Sequence, residues 1–338
     1  LSIRRQRQMC IRDRSYPITP ARRSQVFALT AYRSSGILEP GRAPSIFCAE
    51  ERSVDLCNGN DIKALLARHG FRFSKSMGQN FLIEGWVPRD IAEASGADSG
   101  CGVLEIGPGI GPLTVQLARR AGQVAAVELD RALLPILSET LAPCRNVTVI
   151  PGDIMKLDLA ALVNERLSGL TPIACANLPY NITTPVLTRL IESGLFASIT
   201  VMIQREVALR ICAAPGTADY GAFSVFCQYH TQPELLFDVG PECFLPAPKV
   251  TSAVLRPIPR REPPQTLVDE ALFFRVVRAS FAQRRKTLLN GLSSAFGAQV
   301  GKQALRQAIE AAGLPPDVRG ERLGIAEFAA VAAAIQTT

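Results

Sequence analysis

Histidine is nearly missing from this sequence: among 338 residues only His69 and His230 carry an imidazole. Two isolated histidines argue against a histidine-rich zinc centre and against a nucleophile activated through an imidazole relay. No C-x-x-C pair occurs among the nine cysteines, which stand singly and often inside apolar segments. So placed, they read as small core residues of a reducing compartment, not as metal ligands or a disulfide framework. No apolar run reaches the roughly 18 residues that a membrane helix needs, so a cytoplasmic protein without a membrane partner is expected. Internal repeats are absent as well.

What is present is an ordinary globular balance, 47% hydrophobic and 20% charged, with a net charge of +7. That charge is unevenly placed. Residues 1–60 hold ten arginines against five acids, leaving the rest of the chain close to neutral, so global charge is weak evidence for a nucleic-acid partner. The opening stretch through residue 57 is rich in Arg, Ser and Pro and lacks a sustained hydrophobic period. It is expected to be disordered, as a transit-type leader or as spurious sequence ahead of the true start.

From residue 61 the pattern tightens. "DIKALLARHG" is predicted to be a helix with Asp61 at its N-cap, and "VPRDIAEASG" a second one. Near-continuous apolar strands then alternate with helices: "GVLEIG", "QVAAVELD", "NVTVIPGD", "PIACANLPY" and "SITVMIQ" are the strands. Pro135 in "RALLPILSETLA" should kink a helix or delay its start. This alternation predicts an α/β, doubly wound parallel sheet, with a ligand site at the carboxyl ends of its strands. "FSVFCQYH", "ELLFDVG" and "SAVLRPI" are expected to be later strands of that sheet. A Pro/Arg-rich linker around residue 260 divides residues 58–260 from a smaller all-helical domain, 261–338, in which "RVVRASFAQRRKTLLNGL" is among the clearest helices.

Three strand ends carry candidate chemistry. "LEIGPGIGPLT" places Gly107, Gly109 and Gly111 between a strand and a helix, where backbone N–H groups can approach a ligand closely. Glu128 ends the next strand, at a spacing that suits ribose hydroxyls. Asp153 ends the third, "NVTVIPGD", where a carboxylate can accept from an adenine amine. An adenosine-bearing cofactor is expected. Pro112 stands where the dinucleotide fingerprint wants glycine, and Glu105 would repel a pyrophosphate. A ligand carrying an ammonium and a sulfonium tolerates that carboxylate, so S-adenosylmethionine fits better than a nicotinamide dinucleotide.

"GQNFL" (78–82), "EIGPGIGPLT", "VELD", "NLPYNITTP" (177–185), "FLPAPKVTSAV" (244–254) and "SFAQRRKTLLN" (280–290) follow in this order. Together they closely resemble the small-subunit ribosomal RNA adenine dimethyltransferase family, over about residues 61–330. The resemblance implies a Rossmann-like S-adenosylmethionine-dependent methyltransferase sheet. It implies dimethylation of the N6 amines of two adjacent adenosines near the 3′ end of small-subunit (16S) rRNA, on a pre-30S particle. It also implies cofactor contacts from Asn80, Leu82, Gly107, Glu128, Asp153 and Asn177, and no metal.

In that light the strand-ending "NLPY" gains a role. Asn177 and the Leu178 carbonyl can accept the two hydrogens of an adenine amine, Pro179 fixes the turn, and Tyr180 can stack on the base. Phe244 resembles the family's aromatic on the opposite face. The alternative is a rigid turn with a core tyrosine. Arg275, Arg278, Arg284, Arg285 and Lys286 form an acid-free cluster that can neutralise RNA phosphates, the alternative being a solvated helix face. A resistance-type 23S rRNA dimethyltransferase, a DNA adenine methyltransferase and a non-catalytic ribosome-assembly factor on the same fold are the rival readings. A monomer is expected.

Overall fold

The computed structural model describes residues 54–73, 78–267, 269–283 and 285–337. The expected leader up to residue 53, and Arg284 of the basic cluster, lie outside these residues. The first helix, α1 (Gly59–Arg68), is capped by Asn58 and not by Asp61: the Asn58 side chain accepts from Asn60 N and Asp61 N. Asp61 instead sits in the first turn, where its charge still favours the N-terminal end. The short strand β1 (Phe81–Leu82) and α2 (Trp86–Ala94) follow.

The alternating region then runs β2 (Cys101–Ile106), α3 (Pro112–Ala118), β3 (Gln123–Glu128), α4 (Leu134–Thr140), β4 (Val147–Pro151) and α5 (Leu159–Arg166). It continues through β5 (Thr171–Asn177), α6 (Thr183–Ser193), β6 (Ile199–Gln204), α7 (Arg205–Cys212), α8 (Ala222–His230) and β7 (Thr231–Val239). Last come β8 (Phe244–Leu245) and β9 (Ser252–Pro259), then α9 (Glu270–Phe281), α10 (Leu288–Val300), α11 (Lys302–Ala311) and α12 (Ile325–Gln336). Pro135 delays α4, lying in its first turn after a short 3-10 segment.

The main sheet has seven strands in the order β4-β3-β2-β5-β6-β9-β7. β2 to β6 pair in parallel, and β9 joins β6 and β7 antiparallel. Alternate residues of β2 enter different cores. Leu104 and Ile106 pack with α5, α6 and α7, whereas Cys101 and Val103 pack with α2 and α3. Both faces of the central strands are therefore covered, which is why they read as continuous apolar runs. Each large apolar side chain buried there contributes about 1.5–3 kcal/mol.

One predicted strand is a helix. "FSVFCQYH" lies in α8, whose start is set by Gly221, with Gly221 N donating to Ser224 Oγ at 3.0 Å. α8 is apolar on two sides. Cys227 faces the sheet core, while Val225 and Tyr229 join the core of the C-terminal helices, so no polar stripe marked its helical period. The long helix expected over "RVVRASFAQRRKTLLNGL" is likewise two: α9 ends at Phe281, and Thr287 caps α10. Contacts join the sheet region and the C-terminal helices within one unit, Arg52–Thr338. Among the described residues no helix is long and apolar enough to cross a membrane.

Candidate active site

β2 and β5 are neighbours whose following connections run to opposite sides of the sheet, and between them lies the switch point of a doubly wound fold. A cleft of about 290 Å3 opens over the carboxyl ends of the parallel strands. Gly107 reaches it from β2, Glu128 from β3, Asp153 from the turn after β4, and Asn177 through Tyr180 from β5. Asn80 and Leu82 come from the segment around β1, and Phe244 from β8. The fold thus gathers around one cleft Asn80, Leu82, Gly107, Glu128, Asp153, Asn177 to Tyr180 and Phe244. β1 and β8 pair antiparallel, Leu82 opposite Phe244, which seats the "GQNFL" strap beside the predicted aromatic.

The glycine turn is left-handed at Gly107 (φ 68°), Gly109 (φ 62°) and Gly111 (φ 95°), a conformation that favours glycine. Gly107 N donates to Val127 O at 2.9 Å, tying the turn to β3. A Cβ at Gly107 would meet no atom within 4 Å, so the cleft is open there. A Cβ at Gly109 would stand 3.3 Å from the Phe81 ring, so glycine lets the strap lie close against the turn.

Glu128 is only 6% exposed. Its Oε1 accepts from Asp130 N at 2.7 Å. Burial pushes its carboxyl above the usual range, while the N–H groups of Asp130, Gly109 and Leu129 pull it back. Asp153 Oδ1 accepts from Met155 N at 2.9 Å, leaving Oδ2, among the described residues, with only Lys156 Nζ, 3.6 Å away. Asp153 therefore keeps an oxygen for a ligand, and the Glu128 carboxyl lines the same cleft. Arg189 of α6 donates to the carbonyls of Met155 and Leu157, so the Asp153 turn is fastened to the helix that follows "NLPY".

Glu105 is 1% exposed and lines the same cleft. Burial pushes its carboxyl up to about 8, with the Thr114 hydroxyl opposing the shift and the Glu128 charge adding to it. Neither Glu105 Oε2 nor Thr114 Oγ1 makes a well-formed hydrogen bond among the described residues. An unpartnered buried carboxylate oxygen is costly, and a cationic ligand would relieve it. The residues present therefore fit S-adenosylmethionine: an acid for the ammonium, an open glycine turn, an acid at ribose distance in the chain, and a third for the adenine.

At the end of β5 the Asn177 side chain and the Leu178 carbonyl make no hydrogen bond among the described residues. The Pro179 carbonyl, by contrast, is occupied by Ile182 N and Thr183 Oγ1. Leu178 N donates to Met202 O at 3.1 Å, holding the turn to β6. Two acceptors are thereby left without a partner among the described residues, on a turn that lines the cleft. Phe244 is 3% exposed, so its ring is part of the wall and not a free flap. Gln79 also lines the cleft and donates to Asp130 Oδ2 at 2.7 Å. Sequence reasoning passed it over, although it stands inside "GQNFL".

The members of the basic cluster differ in their contacts. Arg275 donates to Ala295 O at 3.0 Å and Gln299 Oε1 at 3.1 Å, with its guanidinium carbon 4.3 Å from the centre of the Phe296 ring. It is engaged in packing α9 on α10. Arg278, Arg285 and Lys286 are exposed and form no ion pair among the described residues.

Comparison with known proteins bears on these arrangements. The family model of ribosomal RNA adenine dimethylase matches residues 70–329. The chain is 45% identical over 284 residues to ribosomal RNA small subunit methyltransferase A of Geobacillus kaustophilus (strain HTA426), covering 83% of this chain and 97% of that protein. It is 48% identical over 277 residues to the protein of the same name from Streptococcus pneumoniae (strain JJA), covering 81% and 96%. Among solved structures, the dimethyladenosine transferase from Plasmodium falciparum aligns with a TM-score of 0.63 at 23% identity, covering 74% of this chain and 95% of that one. The 23S rRNA methyltransferase ErmE aligns with a TM-score of 0.58 at 25% identity, covering 76% and 100%.

Proposed function

Since this chain belongs to the ribosomal RNA adenine dimethylase family, we propose that it dimethylates the N6 amines of two adjacent adenosines near the 3′ end of small-subunit rRNA, using S-adenosylmethionine. The observation that carries this reading is the meeting of two groups of residues in one cleft: Glu128 and Asp153 beyond β3 and β4, and the Asn177–Tyr180 turn after β5. The curated relatives at 45–48% identity are named for the small subunit, which favours that RNA over the large-subunit alternative.

Glu105 would hold the cofactor's ammonium, Glu128 its ribose and Asp153 its adenine, with Asn80, Leu82 and Gly107 closing around the methionine end. When bound, S-adenosylmethionine supplies an electrophilic methyl on a sulfonium, a leaving group that needs no acid. The chain's task is then to extrude the target base, hold it flat and aim its nitrogen. Tyr180 stacks on the base and Phe244 backs it. Asn177 Oδ1 accepts one amine hydrogen and the Leu178 carbonyl accepts the other, which draws the nitrogen toward tetrahedral geometry and takes its lone pair out of conjugation with the ring. With the methyl supplied by the bound cofactor, the surplus amine proton would leave to water. After one transfer a single hydrogen remains, so one of the two acceptors suffices for the second.

Residues 261–338 serve as the rRNA-binding part, with Arg278, Arg285 and Lys286 facing phosphate, and the enzyme works as a cytoplasmic monomer on pre-30S particles. The test is transfer of labelled methyl groups to unmodified small-subunit particles, large-subunit RNA and duplex DNA in parallel. Incorporation into the small-subunit particle alone, at two methyls per target adenosine, is expected. Preference for either other substrate, or no transfer to any, would overturn the proposal.

A further inference from the structure

Gln79 sits at a junction that the reaction scheme above leaves unused. Its Nε2 donates to Asp130 Oδ2 at 2.7 Å. A carboxylate can only accept, so this bond fixes which end of the amide is which: nitrogen toward Asp130, oxygen away from it. Asp130 is itself held in place. Its N–H donates to Glu128 Oε1 at 2.7 Å, and its Oδ1 accepts from Ala132 N at 3.0 Å. The orientation of Gln79 is therefore set by the same turn that sets Glu128.

The oxygen so oriented, Gln79 Oε1, is buried and has no hydrogen-bond partner among the described residues. Leaving a buried acceptor unpaired is destabilising, and native proteins rarely do so unless a ligand or water completes the bond. Gln79, Asp130 and Glu128 all line the cleft. We infer that Gln79 is a further cofactor-binding residue, whose Oε1 accepts a hydrogen bond from a ribose hydroxyl of S-adenosylmethionine. The cofactor carries three kinds of donor. Glu105 has an orphaned oxygen for the ammonium, and Asp153 has a spare one for the adenine amine. The ribose pair remains, and Gln79 reaches it as the neighbour of Glu128 through Asp130. The strap would thus add its own direct contact to the ribose held by Glu128.

This inference rests on reading the cleft as the cofactor site, and titration calorimetry with S-adenosylhomocysteine separates the two claims. Failure of the wild-type protein to bind that ligand overturns the cofactor reading itself. If the wild type binds, Gln79→Met should weaken affinity about tenfold by removing the acceptor at nearly constant volume. Gln79→Asn, too short to span both partners, should do the same and guards against misfolding of the first variant, which a melting curve detects. The ribose assignment predicts that the Gln79→Met penalty disappears for the 2′-deoxy or the 3′-deoxy analogue of S-adenosylhomocysteine. Unchanged affinity in both variants, or an equal penalty with both deoxy analogues, would overturn it.

Discussion

The hydroxyl of Tyr180 lies 2.7 Å from Ser252 Oγ, joining the turn after β5 to the first residue of β9. Ser252 is fully buried and paired in the sheet, so the bond anchors the outer edge of the tyrosine ring to the core. Burial raises the Tyr180 pKa, only partly offset by this bond, and the hydroxyl stays neutral and able to hydrogen-bond. If the ring is the stacking platform for the target base, its face matters more than its hydroxyl. Tyr180→Phe should therefore lower methyl transfer only several-fold. Tyr180→Ala should forfeit stacking worth about 1–3 kcal/mol, or roughly 5- to 150-fold in kcat/KM. Calorimetry with S-adenosylhomocysteine should show little change in either variant. A core-only role would instead give a large loss of melting temperature with the alanine and equal activity losses in both.

Asn177 stands between the cofactor and base positions, and its substitution separates its two duties. Asn177→Ala should reduce methyl transfer by three orders of magnitude or more, since about 4 kcal/mol of transition-state positioning corresponds to that factor. Cofactor affinity should fall much less. Single-turnover rates together with a binding isotherm check this, and parallel losses in both would confine Asn177 to the cofactor.

Much of the site could be read before any coordinates, because its chemistry sits at strand ends that apolar runs make visible. Gly107, Glu128, Asp153 and Asn177 each follow such a run, and parallel pairing then forces them onto one rim. Asn80, Leu82 and Phe244 could not be placed this way. Their segments are two-residue strands that meet only through tertiary pairing, and they were reached through family resemblance. The strand expected at α8 was a misreading with a physical cause: α8 is buried on two sides and so lacked the polar stripe that separates a helix from a buried strand. The packing of Arg275 on Phe296 was equally hidden, because a guanidinium engaged with a ring has the same sequence signature as a free one. Gln79 was invisible for the opposite reason, since an amide gains meaning only from what its two ends face.

Glu105 makes cofactor binding sensitive to pH. With its carboxyl pushed up to about 8 by burial, it holds its proton in the ligand-free protein at neutral pH. The folded pKa lies above the ordinary carboxyl value, so the stability this group contributes is complete in acid and is lost as pH rises toward about 8. A cofactor ammonium favours the carboxylate and reverses that loss, and binding should release a proton. Affinity for S-adenosylhomocysteine is therefore expected to tighten about tenfold between pH 6.5 and 8.5, one pKa unit being 1.36 kcal/mol. The melting-temperature rise on adding ligand should grow over the same interval. Glu105→Gln, which cannot titrate, should flatten both dependences, and an unchanged profile in that variant would remove Glu105 from the linkage.

Arginines close together in the chain are expected to behave oppositely. Arg275 is committed to α10 through Ala295 O, Gln299 and the Phe296 ring, so Arg275→Met should cost about 1–3 kcal/mol of stability. The salt dependence of its binding to small-subunit particles should match that of the wild type. Arg285 and Lys286 are exposed and unpaired among the described residues, and reversing both to Glu should leave the melting temperature unaltered. Particle affinity should then fall, and the slope of log K against log salt should drop by about 0.7–0.9 for each phosphate that is no longer neutralised. The slope is the informative readout, because a variant that merely loosens α9 lowers affinity at every salt concentration without changing it. A slope altered by Arg275→Met and not by the double reversal would move the RNA-binding surface onto the body of α9, away from the turn after it.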